Sequence, residues 1–140
     1  MRESAFWQLV KKNLSPAVHA TRIENSAGAG QSDVNACRRG VEAWVELKIQ
    51  HGNFLEFRSA QLQWIGARLR AGGRVVVLAE HRGAVVLYHG GVCFGTVGYP
   101  AKPVSGKKAV RVRADDCYVL LRTGKPFDWK SIEAKIFERR

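Results

Sequence analysis

The sequence predicts an α/β protein with a central mixed β-sheet flanked by helices. Apolar residues recur at helical spacing in two separated stretches, residues 3–14 and 59–71. Around them lie short segments rich in β-branched residues and bounded by Gly turns. The densest of these segments, RVVVLA at 74–79, directly follows the second helix. A helix feeding a fully apolar strand places that strand inside a mixed sheet. The length of 140 residues suits one domain with a real core and a helix on each side of the sheet.

Residues 3–14 form the first helix. Phe6, Leu9, Val10 and Leu14 share a face, Lys11 and Lys12 suit the C-terminal dipole, and Pro16 stops it. Residues 18–23 alternate with polar residues and read as a strand, with a short helical extension as the other reading. Residues 25–31 (NSAGAGQ) are a Gly-rich loop. Residues 33–38 and 41–49 read as strands joined by a tight Arg39-Gly40 turn. His51-Gly52-Asn53 is a further turn. The helix at 59–71 has Ser59 as its cap, Leu62, Ile65 and Leu69 as its buried stripe, and Gly72-Gly73 as its end. Arg82-Gly83 turns the strand at 74–79 into AVVLY at 84–88. Residues 90–108 are rich in Gly, Pro and Lys and read mainly as loop. A strand at 118–121 and a helix at 129–138 follow.

The composition is that of an ordinary globular protein, 46% hydrophobic and 25% charged. The formal net charge is +11, from 23 Lys and Arg against 12 Asp and Glu. Residues 101–140 carry 11 basic and 5 acidic groups, against 12 and 7 in residues 1–100. A folded domain this basic points first to nucleic acid and next to an anionic membrane surface. A solvated face that serves solubility is the plainer reading. Cys37, Cys93 and Cys117 are odd in number and lack zinc-site spacing, so they read as reduced thiols of a cytoplasmic protein. No run approaches the roughly 18 apolar residues needed to span a membrane. The N-terminus reads as an amphipathic helix rather than a signal peptide. His19, His51, His81 and His89 are scattered and form no paired ligand spacing.

The chemistry concentrates at Glu46 and Lys48. Residues two apart on a strand point to one face, so these two project together, opposite Val45, Leu47 and Ile49. Like-directed charges on an apolar strand are costly unless solvated, paired or functional. If Asp33 begins a neighbouring strand, its carboxylate meets Glu46 at one divalent cation, with the Leu47 carbonyl as a further ligand. Lys48 would then orient water or offset charge on a phosphoryl group. The alternative is a surface strand with an ordinary Glu and Lys, and Asp33 as a turn cap. Glu24 is a further metal ligand, a carboxylate positioning the site through water, or an exposed loop acid. Gln61, Trp64 and Arg68 flank the buried stripe of their helix. Gln61 faces the site, Arg68 faces phosphate, and Trp64 reads as core packing rather than a base platform. The 25–31 loop lacks a Gly-Lys-Ser/Thr ending and is not a nucleotide P-loop. Lys102, Lys107, Lys108, Arg111 and Arg113 form the densest basic run, which reads either as a DNA-backbone track or as a solvated loop.

Glu24, Asp33 and Glu46-Leu47-Lys48, followed by a helix carrying Gln61-x-x-Trp64, resemble the PD-(D/E)xK nuclease superfamily. Within it the pattern is most similar to the small stand-alone VRR-NUC nucleases of phages and bacteria. The resemblance covers about residues 18–90 of a single nuclease domain, with residues 91–140 as a C-terminal extension packed on it. Ser32 stands where that family usually has proline, a departure that touches the turn more than the chemistry. The resemblance implies a restriction-endonuclease-like core and Mg²⁺- or Mn²⁺-dependent cleavage of DNA. It makes Asp33, Glu46, Leu47 and Glu24 the metal set, with Lys48 and Gln61 beside them. It also implies branched DNA as substrate, as for Holliday-junction resolvases, and a homodimer whose two sites cut two strands. The competing readings are a non-catalytic basic DNA-binding protein on the same fold and a sequence-selective nuclease of restriction or homing type.

Overall fold

A computed structural model describes residues 1–23, 30–91 and 109–139. The elements in chain order are α1 (Glu3–Asn13), β1 (Val18–Arg22), β2 (Val34–Arg38), β3 (Val41–Ile49), β4 (Phe54–Arg58), α2 (Ser59–Arg70), β5 (Val75–His81), β6 (Ala84–His89), β7 (Ala109–Arg113), β8 (Val119–Thr123) and α3 (Trp129–Ile136). The fold is α/β, with a central mixed sheet of six strands in the order β1-β2-β3-β5-β6-β8. Only β3 and β5 run parallel, because the chain passes through β4 and α2 between them. Their neighbours are antiparallel. Strands β4 and β7 form a separate antiparallel ribbon.

Alternation along β3 sorts the two faces of the sheet. Ala43, Val45 and Leu47 enter one core with Phe6, Trp7 and Val10 of α1 and Ile132 and Ile136 of α3. Trp44 enters the other core, with Leu62 and Ile65 of α2 and Leu55, Phe57, Val110 and Val112 of the ribbon. Glu46 and Lys48 share the Trp44 side, as the two-residue period requires. The hairpin residues Arg39 and Gly40 both have positive φ, 48° and 82°, as a two-residue type I′ turn demands.

Three features differ from the sequence reading. Residues 54–58, left between a turn and a helix, are strand β4. Their outward Glu56 and Arg58 alternate with buried Leu55 and Phe57. The basic residues Arg111 and Arg113 lie on β7, whose inward Val110 and Val112 are buried. Each of these strands is only five residues long, and they pair across more than fifty residues of sequence, so local pattern alone is weak for both. The residue capping α2 is Arg58, not Ser59, which is already helical. At the other end Gly72, with φ of 91°, and Gly73 return their N–H groups to the carbonyls of Leu69 and Arg68, a Schellman closure. Beyond residue 109, β8 forms an edge of the main sheet, and α3 supplies core residues through Ile132 and Ile136.

Candidate active site

Strand β2 begins opposite Val45, where Val34 pairs with it, so Leu47 extends beyond that ladder. Its N–H is taken instead by the side chain of Asp33, at 2.8 Å from Oδ2. Even-numbered residues of β3 bond towards β5, as Trp44 N to Arg74 O and Gln50 N to Glu80 O show. Odd-numbered Leu47 therefore turns both backbone polar groups towards Asp33. Asp33 is held in turn by its own carbonyl, which accepts Ile23 N–H at 2.7 Å.

Glu46 and Lys48 are side by side on the α2 face. Glu46 is fully buried and Lys48 is 9% exposed. Lys48 Nζ lies 3.5 Å from Glu46 Oε2 and 4.7 Å from the centre of the Phe57 ring. Gln61, in the first turn of α2, connects the pair. Its Nε2 donates to Glu46 Oε2 at 2.7 Å, while its Oε1 accepts Lys48 Nζ at 3.3 Å and Arg58 N–H at 2.8 Å. These contacts fix the orientation of the amide, since oxygen faces two donors and nitrogen faces a carboxylate.

Glu46 Oε1 is buried and receives no N–H or O–H from a described residue, while the Asp33 carboxylate beside Glu46 is close enough to share a proton with it. Burial raises the Glu46 pKa well above the usual carboxylate range. The neighbouring Asp33 carboxylate adds to the shift, and Lys48 opposes it. Two adjacent carboxylates beside a strand carbonyl make a hard oxygen set of the kind Mg²⁺ takes. Among the described residues no three His, Cys, Asp or Glu side chains gather at metal-ligand range. Mg²⁺ sites commonly use one or two carboxylates and complete their shell with water, so the donor set fits that ion.

The site opens into a cleft of about 460 Å³ that Asp33, Lys48 and Gln61 line. Glu3, Arg22 and Glu56 line it too, and the sequence reading assigned none of the three. Burial, the largest cause, raises the Glu3 pKa; Asp33 adds to the shift, and Lys48 and Arg22 oppose it. The missed signal was an acid on a buried stripe, because Glu3 precedes Phe6, Trp7 and Val10 at helical spacing. Ser32 is also buried, and its Oγ has no partner among the described residues.

The remaining expected residues fall elsewhere. Arg68 sits near the opposite end of α2 from Gln61. It pairs with Glu42 at 3.2 Å and lies 5.5 Å and 6.0 Å from the Trp44 and Trp64 rings. Trp64 packs edge-on against Trp44 at 5.0 Å and belongs to the core, as its spacing predicts. Arg111 is exposed on β7, paired with Glu56 at 3.2 Å. Glu24, Lys102, Lys107 and Lys108 lie outside the described residues. No helix among the described residues is long and apolar enough to cross a membrane.

No protein-family model matches the chain, and no curated protein does. Solved structures do match. One is a Holliday junction resolvase from the archaeal hyperthermophile Archaeoglobus fulgidus, 12% identical, with a TM-score of 0.53. The match covers 84% of this chain and 92% of that one. At this identity the likeness is one of fold: the chain has the α/β architecture on which that resolvase is built.

Proposed function

We propose that the protein is a divalent-metal-dependent DNA endonuclease acting on branched DNA. One observation carries the reading. Asp33 and Glu46 meet at the start of β2, their carboxyl groups close enough to share a proton, and Lys48 and Gln61 are locked beside them. Asp33, Glu46 and the Leu47 carbonyl would hold Mg²⁺ or Mn²⁺, with Glu24 as a further candidate ligand. Such an ion polarises a phosphate and lowers the pKa of bound water. Lys48 offsets charge that builds on the phosphoryl oxygens and holds the attacking water through its ammonium protons. Gln61 keeps the Lys48 and Glu46 side chains in register and leaves neither free to swing into solvent. Arg22 gives the cleft a cation for the approaching backbone, and Arg111 gives the outer ribbon another. The fold likeness to a junction resolvase and the net charge of +11 support branched DNA as the substrate. A homodimer would bring two such sites to two strands.

The test is cleavage of labelled four-way junction, flap, linear duplex and single-stranded DNA in Mg²⁺, in Mn²⁺ and in EDTA. Wild type and Asp33→Ala are compared. Metal-dependent cutting of the junction, lost in the variant, is expected. A preference for one duplex sequence over any branch would instead indicate a restriction or homing type. Tight, salt-sensitive binding with no cutting in either metal would overturn the nuclease reading in favour of a silent binding protein.

A further inference from the structure

A second cleft, of about 550 Å³, lies at the opposite end of α2. Arg68, Arg74 and Arg139 line it, from α2, the approach to β5 and the last described residue of the chain. Glu42 is the one carboxylate among the described lining residues, and Arg68 already engages it at 3.2 Å. Donors dominate the lining. Arg139 is exposed and held over the hairpin by a 3.0 Å bond to the Arg39 carbonyl. Trp44 also lines the cleft, and its indole Nε1 and the Arg68 Nε are buried without partners among the described residues.

The backbone does not oppose such a ligand. A helix C-terminus normally repels anions through its unpaired carbonyls. Here the carbonyls of Ala67, Arg68 and Leu69 are all satisfied by the following turn. Gly73 is required for the arrangement, since a Cβ there would meet Arg68 Cγ at 2.9 Å and displace the arginine stem.

We propose that this cleft binds phosphate, and that its ligand is the backbone of the DNA arm next to the cleaved bond. The proposal rests on the nuclease reading for the identity of the bound DNA. Glu42 and Glu46 are four residues apart on β3, or about 13 Å, and Lys48 is about 20 Å away. That span corresponds to about four to six base steps at 3.4 Å per step. The cleft would therefore fix the direction in which a duplex leaves the site.

The experiment measures binding in EDTA, where nothing is cut, across a salt series. Wild type, Arg139→Gln and Arg68→Gln/Arg139→Gln are compared on a hairpin stem of about three base pairs, too short to span the distance, and on a duplex of about twenty. For the long duplex, the double variant is expected to bind about tenfold more weakly, with a salt slope reduced by about one to two. The short stem is expected to show no such difference. Arg139→Gln, a change at an exposed residue, should give part of the effect even if the double variant folds poorly. Equal slopes for wild type and Arg139→Gln on the long duplex would overturn the site. Orthophosphate and a 5′-mononucleotide are titrated alongside. If they bind the cleft in an Arg139-dependent way while duplex length has no effect, the DNA-backbone assignment is overturned in favour of a free phosphate. Failure of the nuclease reading is visible separately, as absence of cleavage in Mg²⁺ whatever the salt slopes.

Discussion

Both ends of the Gln61 amide are engaged, so its loss has a defined consequence. Gln61→Ala removes the contacts that hold Lys48 and the buried Glu46, and cleavage is expected to fall about 10- to 100-fold with little loss of helix. Single-turnover kinetics beside circular dichroism check this, and an unchanged rate would reject a positioning role. Lys48→Ala should leave folding and DNA binding intact and lower cleavage by about 10²-fold or more. Equal cleavage by that variant would remove Lys48 from the chemistry. Glu46 gives the pH dependence. Its raised pKa means that the folded chain keeps a proton which the unfolded chain releases. Its contribution to stability therefore falls as pH climbs from the ordinary carboxylate value through the raised one. A bound divalent cation favours the ionised carboxylate and opposes that loss. Mg²⁺ is expected to raise the Tm more at about pH 8 than at about pH 5.5, and Glu46→Gln to abolish the difference. Calorimetry showing the same Mg²⁺ shift at both pH values would contradict Glu46 as a ligand.

The elements meet through few but specific contacts. Glu133 of α3 is buried and accepts both the N–H and the hydroxyl of Ser15, at 2.7 and 2.8 Å, while Arg38 of β2 lies 3.5 Å away. One carboxylate thus ties the turn after α1, the end of β2 and the last helix. Glu133→Ala is expected to cost about 3 kcal/mol, at the lower end for a broken buried pair because Arg38 can reach water. That corresponds to a Tm lower by on the order of 10 °C. Gly30 ties the loop before Asp33 to the start of α2. Its φ is 73°, and a Cβ there would lie 2.1 Å from the Ala60 carbonyl oxygen. Gly30→Ala is expected to lower the Tm and, by shifting Asp33, to weaken Mg²⁺ binding. Titration calorimetry and thermal melts test the two effects separately, and wild-type values for both would show that the contact relaxes freely.

At the scale of the whole molecule, charge and association matter most. With a net charge of +11, the proposed DNA binding is expected to be strongly salt-dependent, with log K falling by about 0.9 per neutralised phosphate for each tenfold rise in salt. Two strands of a junction need two sites, and the proposed dimer is tested by sedimentation with and without four-way junction. A monomer under both conditions would leave the protein a single-strand nicking enzyme. The exposed ion pairs on this surface, such as Arg111 with Glu56, are worth about 0–1 kcal/mol each and add little to the stability of the fold.

Much of the architecture was legible in the chain, because it follows from periods that need no distant partner. The two-residue alternation of 41–49 placed Glu46 and Lys48 together, the 3.6-residue stripe of α2 placed Gln61 beside its buried face, and the Arg39-Gly40 and Arg82-Gly83 pairs marked hairpins. What the sequence could not decide depends on pairing across long stretches of chain. Strands β4 and β7 lie outside the main sheet and exist by pairing with one another across more than fifty residues of sequence. Glu3 reaches the cleft only because α1 packs against β3, and Arg68 faces a different cleft from Gln61 because seven residues of α2, a rise of about 10 Å, separate them. Local period determines which face a side chain occupies. Only the packing of elements remote in sequence determines which other side chains it meets there.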